Sequence, residues 1–262
     1  MTAEIKRFRK RSSVTPKVLS LSSSQEAEFR ERLQRYFEEC PIPADELFTN
    51  LGLFLNRQSL SRILFMHEMY RKIVNVHGVV MEFGTRWGQN LALFSSFRGM
   101  YEPFNYTRKI VGFDTFEGFK AISAQDKESH GVVVGGYGVS ENYEGYLDRI
   151  LSYHEQESPL AHIRKYELVK GDVAVTVPKY LSENPQTVIA LAYFDLDLYE
   201  PTKHCLEAIK NYVTRGTVLG FDELNHAGFP GETVAFREVL GLRNYRVERS
   251  PLTPAAAYVV VE

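Results

Sequence analysis

Five short apolar runs dominate the middle and end of the chain, and each stops at an acidic residue or a glycine. They are Gly78–Gly84 (GVVMEFG), Lys109–Asp114 (KIVGFD), Tyr166–Asp172 (YELVKGD), Val188–Asp197 (VIALAYFDLD) and Gly216–Glu223 (GTVLGFDE). Continuous rather than alternating apolar character suits strands buried on both faces of a parallel sheet. Stretches of helical periodicity separate the runs, at Asn90–Phe97, Val173–Leu181 and Thr202–Val213. Strands and helices in alternation, joined by right-handed crossovers, predict an α/β fold built on an open, doubly wound, mostly parallel sheet. Tyr245–Arg249 and Ala257–Val261, joined through Pro251-Leu252-Thr253-Pro254, read as a terminal antiparallel hairpin that brings the sheet to seven strands.

The chain before the first strand divides in two. Residues 1–24 form a basic, Ser-rich arm carrying Lys6, Arg7, Arg9, Lys10 and Arg11. No apolar stretch follows these charges, so the arm is not a secretory leader, and a cytoplasmic location is expected. Residues 25–75 are a helical extension that predicts a cap or a homo-oligomer contact. Its first helix, Gln25–Cys40, carries Phe29, Leu33, Tyr36 and Phe37 on one face, opens with the capping-box pair Ser23 and Glu26, and stops at Pro41-Ile42-Pro43. Its second spans Ser59–Val74. Residues 76–262 form the main domain. The 31 basic and 33 acidic side chains give a net charge of −2, which argues against a nucleic-acid partner. No apolar run reaches the ~18 residues of a membrane span. Cys40 and Cys205 form no CxxC, so neither disulfides nor a zinc site is expected.

In open α/β sheets, ligands bind beyond the carboxyl ends of the strands. Those ends carry Glu82, Asp114, Asp172, Asp195, Asp197, Asp222 and Glu223, an acidic rim suited to hydroxyls, amines or a cation. The first turn reads Glu82-Phe83-Gly84-Thr85-Arg86-Trp87-Gly88. A dinucleotide fingerprint needs a glycine where Arg86 stands, and no GxxxxGK[ST] loop occurs, which disfavours nicotinamide and nucleotide triphosphate chemistry. Asp195 and Asp197 would share a side in a straight strand, with Asp222 and Glu223 on its neighbour. Such crowded carboxylates raise one another's pKa values unless protons or a cation intervene, and oxygen-only donors suit Mg²⁺, Mn²⁺ or Ca²⁺.

The runs VVMEFGTRWG, VGFDTFEGF and AYFDLDLYEPT, followed by a strand ending in FDE, resemble the class I S-adenosylmethionine-dependent methyltransferases. More narrowly they resemble the macrocin O-methyltransferase (TylF/MycF) family, which methylates sugar hydroxyls on natural products; the likeness spans roughly Gly78 to Leu242. The resemblance implies a Rossmann-like methyltransferase fold that binds S-adenosylmethionine. It implies Glu82 and the turn Gly84, Thr85, Arg86 and Gly88 against the methionine part. Asp114, with Thr115 and Phe116, would take the ribose, and Asp172 with Val173 the adenine edge; Asp195 completes the cofactor set. It further implies a divalent cation, normally Mg²⁺, on Asp195, Asp222 and Glu223, with Asp197 as general base. Glu223 departs from the family's second aspartate. Without metal, His226 becomes a candidate base.

Several readings stay open in the sequence. Asp172 equally suits a helix N-cap, His226 a surface loop, and Trp87 either a ligand shelf or a core anchor. Arg86 can pair with Glu82 or reach the methionine carboxylate. Residues 120–146 read as a glycine-rich lid over the acceptor, with His130, Tyr137 and Tyr143 as contacts, and Gly228–Gly231 should border the pocket. The expected partner is a small hydroxylated molecule. The alternatives are another methyl acceptor (phenol, amine or carboxylate), a cephalosporin hydroxylase-like relative, or a non-catalytic subunit; Asp197 has no use in the last.

Overall fold

A computed structural model describes residues 23–126 and 132–262. The basic arm and His130 thus lie outside the described residues, apart from the arm's last two positions. Seven strands form one sheet in the order β3-β2-β1-β4-β5-β7-β6. They are β1 (Val79–Phe83), β2 (Ile110–Asp114), β3 (Tyr166–Lys170), β4 (Ile189–Phe194), β5 (Val213–Phe221), β6 (Glu248–Arg249) and β7 (Ala257–Val260). The first five run parallel, and β7 lies antiparallel between β5 and β6. This is the expected doubly wound sheet with its terminal hairpin. Strand order reverses between β1 and β4, which makes their carboxyl ends the switch point.

The helices are α1 (Ser24–Glu38), α2 (Ala44–Leu47), α3 (Arg57–Ile73), α4 (Gln89–Tyr101), α5 (Tyr143–Gln156), α6 (Val173–Glu183), α7 (Tyr199–Ile209) and α8 (Gly231–Val239). One face of the sheet is covered by α3, α4 and α5, which bury Phe65, Met66, Tyr70, Phe94 and Leu151 against Val80, Ile110, Leu191 and Val218. The other is covered by α6, α7 and α8, with Val177, Tyr180, Leu206 and Phe236 against Met81, Val111 and Leu219. Adjacent Val80 and Met81 serve opposite faces because strand side chains alternate. Each such buried side chain contributes roughly 1.5–3 kcal/mol.

Helix α3 corrects one expectation. It is a layer of the core rather than a cap, since Phe65, Met66, Met69, Tyr70 and Ile73 are all buried. The buried Arg108 fixes its carboxyl end, donating to the carbonyls of Ile73, Val76 and Gly78 at 2.6–3.0 Å while Glu102 balances its charge. By contrast α1 keeps its capping box, Ser23 N–H to Glu26 Oε2 at 2.9 Å, but none of its described side chains is completely buried. Three helices escaped the sequence reading, the short α2 as well as α5 and α8. The segment expected to be helical from Thr202 to Val213 runs instead from Tyr199 to Ile209, because Val213 already opens β5.

Candidate active site

The carboxyl ends of β1, β2, β4 and β5 open onto one cavity of about 610 Å³. Thr85, Arg86, Asp114, Thr115, Asp172, Val173, Asp195, Asp197, Asp222 and Glu223 all line it, together with Gly84 and Gly88. Of the candidates, Glu82, Phe116 and His226 do not.

The β1 turn is shaped by its neighbours. Gly84 has φ +89°, and a Cβ there would lie 1.8 Å from the Asp195 carbonyl oxygen. The glycine is therefore demanded by the crossing of the β1 and β4 ends, a constraint separate from ligand approach. Gly88, at φ +75°, leads into α4, where a Cβ would strike Leu147. Beneath this turn Glu82 is buried and accepts from Asn90 Nδ2 at 2.6 Å. Its other oxygen has no partner, nor do Thr85 Oγ1, Asn90 Oδ1 and Arg86 Nε, all buried. Burial first, and Asp195 among the charges, hold the Glu82 carboxyl well above its ordinary pKa. These unsatisfied donors and acceptors fit the ammonium and carboxylate of an amino acid. Arg86 does not pair with Glu82; its guanidinium stacks 4.8 Å from the centre of the Tyr137 ring.

Asp114 ends β2 with each oxygen accepting one backbone N–H, from Arg86 at 2.6 Å and Phe116 at 2.5 Å. These bonds aim the carboxylate and leave lone pairs toward the cavity for vicinal hydroxyls. Phe116 thus acts through its backbone, at φ +57°, while its ring is buried. Asp172 caps α6, accepting from Ala174 N–H at 2.9 Å as the capping reading expected, and it also lines the cavity. Trp87 also lines the cavity and is 42% exposed, so it is no core anchor.

The acidic end of the cavity differs from a straight-strand picture. β4 stops at Phe194, and Asp197 sits at φ +62° in a tight turn closed by Leu198 N–H to Leu196 C=O at 2.6 Å. The turn folds Asp197 back so that Asp195, Asp197 and Glu223 each bring one oxygen within 4.8 Å of the others. Asp222 stands outside this trio. Its Oδ1 accepts from Arg62 Nη1 at 2.6 Å and from the Tyr193 hydroxyl, while Arg62 Nη2 reaches Asp195 Oδ2 at 2.5 Å. Below the trio, the fully buried Glu232 of α8 accepts from the backbone N–H groups of Leu196 (3.3 Å) and Glu223 (3.0 Å) and so ties the two strand ends together. Burial, then the charge of Asp222, pushes Asp195 up to about 8 and Asp197 up to about 7; the same causes raise Glu223.

Sequence reasoning missed Arg62, Glu232 and Asn90. Asn90 alone left a local signal, two residues past Gly88 at the head of a helix. Arg62 lies 133 and 160 residues from its partners, beyond any motif. His226 is turned aside, its Nδ1 accepting from Gly228 N–H at 3.3 Å and its ring against Phe229. The Gly228–Gly231 turn does not line the cavity either; Phe229 packs with Val132 and Leu198. Tyr137 lines the cavity, but Tyr143 opens α5 and donates from its hydroxyl to the Trp87 carbonyl at 2.9 Å. A second cavity of about 430 Å³ lies beyond Arg62, which with Asp222 forms a wall common to both.

No family model and no curated protein match the chain. Solved structures do. The crystal structure of CalS11, a calicheamicin methyltransferase, is 45% identical, covers 96% of this chain and 98% of its own, and superposes with a TM-score of 0.90. The apo structure of CalS11, described as a TDP-rhamnose 3'-O-methyltransferase of calicheamicin biosynthesis, is 45% identical over 92% of this chain and 96% of that one, with a TM-score of 0.82. The O-methyltransferase NovP shares the fold at 17% identity, over 77% of this chain and 79% of its own, with a TM-score of 0.57. Among the described residues no helix is long and apolar enough to cross a membrane. With a fold and a cavity of this form and that degree of identity, the chain belongs to the class I S-adenosylmethionine-dependent O-methyltransferases, of the macrocin O-methyltransferase (TylF/MycF) type.

Proposed function

We propose that this enzyme methylates a hydroxyl of a sugar, free or carried on a nucleotide or natural product. The observation that carries this reading is the meeting of Asp195, Asp197 and Glu223 at the end of the cavity that Asp114 and the Gly84–Gly88 turn also line. CalS11, 45% identical, supports a sugar acceptor.

S-adenosylmethionine supplies an electrophilic methyl group on a sulfonium centre. Thr85, Arg86 and Gly88 would hold its methionine part, with Glu82 behind them through Asn90, Asp114 and Thr115 its ribose, and Asp172 and Val173 its adenine. In the cation-free site Asp197 would take the acceptor proton, since a carboxylate raised toward neutrality is a competent base at physiological pH. Burial makes that base stronger than an exposed aspartate, and the tight turn around it fixes where the hydroxyl must lie.

The Asp195–Asp197–Glu223 oxygens also suit a hard divalent cation, with Mg²⁺ the ion that the family resemblance implies, because all donors are carboxylate and lie within 4.8 Å of one another. Such a cation would polarise the acceptor oxygen. Glu223 fits in place of an aspartate here because Glu232 accepts from its backbone N–H and sets where its longer side chain starts. Asp222, held by Arg62 and Tyr193, is not among these donors.

Calorimetry with S-adenosylmethionine, followed by turnover on a panel of nucleotide sugars with and without Mg²⁺, tests the reading. Cofactor binding and transfer of one methyl group to a sugar hydroxyl are expected; transfer only to phenols or amines overturns the acceptor assignment. Asp197→Asn should lower kcat by about 1,000-fold with cofactor affinity changed less than about threefold.

A further inference from the structure

The segment after β2 brings Tyr137 to the wall of the cavity, between the turn that follows β1 and the acid end. Phe119 N–H donates to the Gly136 carbonyl at 3.0 Å and Gly135 N–H to the Phe119 carbonyl at 2.8 Å, so residues 118–119 and 135–136 lie side by side. The approach is close, since a Cβ on Gly118 would lie 2.2 Å from the Gly136 oxygen. Tyr137 follows directly at φ +63°, a left-handed backbone that a residue other than glycine keeps only where its surroundings hold it. Its ring packs 5.2 Å from the Phe119 ring and 6.5 Å from the Phe229 ring, centre to centre.

The two ends of this side chain have different neighbours. The ring lies against Arg86, whose guanidinium carbon is 4.8 Å from the ring centre. A ring face attracts a cation without using its N–H donors, and Arg86 Nε is buried with no partner among the described residues. The guanidinium is thus oriented and still has a donor to give a carboxylate. At the other end, the Tyr137 hydroxyl makes no hydrogen bond among the described residues. Burial, then the charges of Asp197 and Glu223, raise its pKa, so the hydroxyl lies in the field of those acids and stays protonated. A protonated phenol beside two carboxylates that bonds to neither is a donor left for an oxygen from outside the protein.

The acceptor oxygen that attacks the methyl group needs its electron density, and a hydrogen bond donated to it would weaken the attack. A second hydroxyl of the same sugar carries no such penalty. Resting on the sugar O-methyltransfer reading above, we propose that Tyr137 is a specificity-determining residue that touches both substrate halves: its hydroxyl donates to a second hydroxyl of the acceptor sugar, and its ring holds Arg86 toward the carboxylate of the cofactor's methionine part.

The test uses the full-length protein with Tyr137→Phe, which removes one oxygen, and Tyr137→Met, which removes the ring. Affinity for S-adenosylhomocysteine is read by calorimetry. Turnover is read on the sugar that the nucleotide-sugar panel selects and on its monodeoxy analogues. Tyr137→Phe should bind S-adenosylhomocysteine within about twofold of the parent and lower kcat/KM on the full sugar about tenfold. One analogue should lose about tenfold with the parent enzyme and, within about twofold, nothing further with Tyr137→Phe, because the same bond is missing in both. Tyr137→Met should weaken S-adenosylhomocysteine about tenfold. A merely structural role would instead multiply the losses on every analogue. The proposal is overturned by that pattern, by parent-like kcat/KM in Tyr137→Phe, or by equal S-adenosylhomocysteine affinity in Tyr137→Met and the parent. If Tyr137→Met does not fold, Tyr137→Phe decides it through the analogues. A parent that binds S-adenosylhomocysteine and shows the Tyr137→Met loss, yet methylates no sugar, counts against the function and upholds the hold on Arg86.

Discussion

Asp197 combines two costs in one residue. It is a non-glycine residue held at φ +62°, and its carboxyl is buried at 7% exposure beside Asp222 and Glu223. A left-handed backbone outside glycine costs of order 1–3 kcal/mol and persists only where its surroundings enforce it. Here the enforcement comes from the Leu198-to-Leu196 hydrogen bond and from Glu232, which accepts from Leu196 N–H. Asp197→Gly would relieve both costs, against the greater freedom of glycine in the unfolded chain. The expected result is a protein more stable by about 1 kcal/mol in urea denaturation and without measurable turnover. A less stable variant would show that the turn is not strained. The sequence announced Asp197 as chemistry through its motif, but not its conformation: the DLD spacing implied a strand that in fact ends at Phe194.

At the scale of elements, one side chain ties the segment that follows β2 to the head of α7. Asp126 accepts from Tyr199 N–H at the head of α7 (2.8 Å) through Oδ1, and from Ser123 N–H (2.9 Å) and hydroxyl (2.6 Å) through Oδ2. Gly231 makes room for it, since a Cβ there would lie 2.4 Å from Asp126 Oδ1. Asp126→Ala should cost about 1 kcal/mol as a lost helix cap, speed limited proteolysis between residues 115 and 142, and raise acceptor KM about fivefold. Unchanged proteolysis would mean that the apolar contacts of Val132, Phe119 and Phe229 suffice to hold the segment. The elements legible in sequence were those with an unbroken signal. The β1–β5 runs are apolar because both faces are covered, and α3 shows its periodicity clearly. Helix α5 was hidden because Tyr143 and Gly145 extend the preceding glycine- and tyrosine-rich run into its first turn; Leu147 and Leu151, spaced one turn apart, were the available sign. Arg62 left no sign, because salt bridges across 133 and 160 residues obey no local spacing.

Across the whole molecule, the buried acids set the pH response of stability. The folded chain holds Asp195, Asp197, Glu82, Glu223 and Glu232 above their ordinary values, chiefly by burial. It therefore binds more protons than the unfolded chain, and stability falls as pH rises. The effect begins above the unfolded carboxylate range of about 4 and is spent once pH passes the raised values, near 8 for Asp195. The apo protein's Tm should thus fall between pH 5 and pH 8, about the span of these values, and Mg²⁺ should flatten the fall by giving the ionised groups a counter-charge. A Tm that rises over the same interval would show that these carboxyls are ionised without penalty. The contact between Gly84 and the Asp195 carbonyl, too close for even a methyl group, has a kinetic meaning as well. On the proposed assignment, the turn that would receive one substrate and the strand end that would receive the other abut with no space between, so ordering one would order the other. The two substrates should bind in sequence, cofactor first, and S-adenosylhomocysteine should tighten acceptor binding about fivefold or more in calorimetry. Equal acceptor affinity with and without it would make the two halves of the cavity independent, and random-order kinetics would follow.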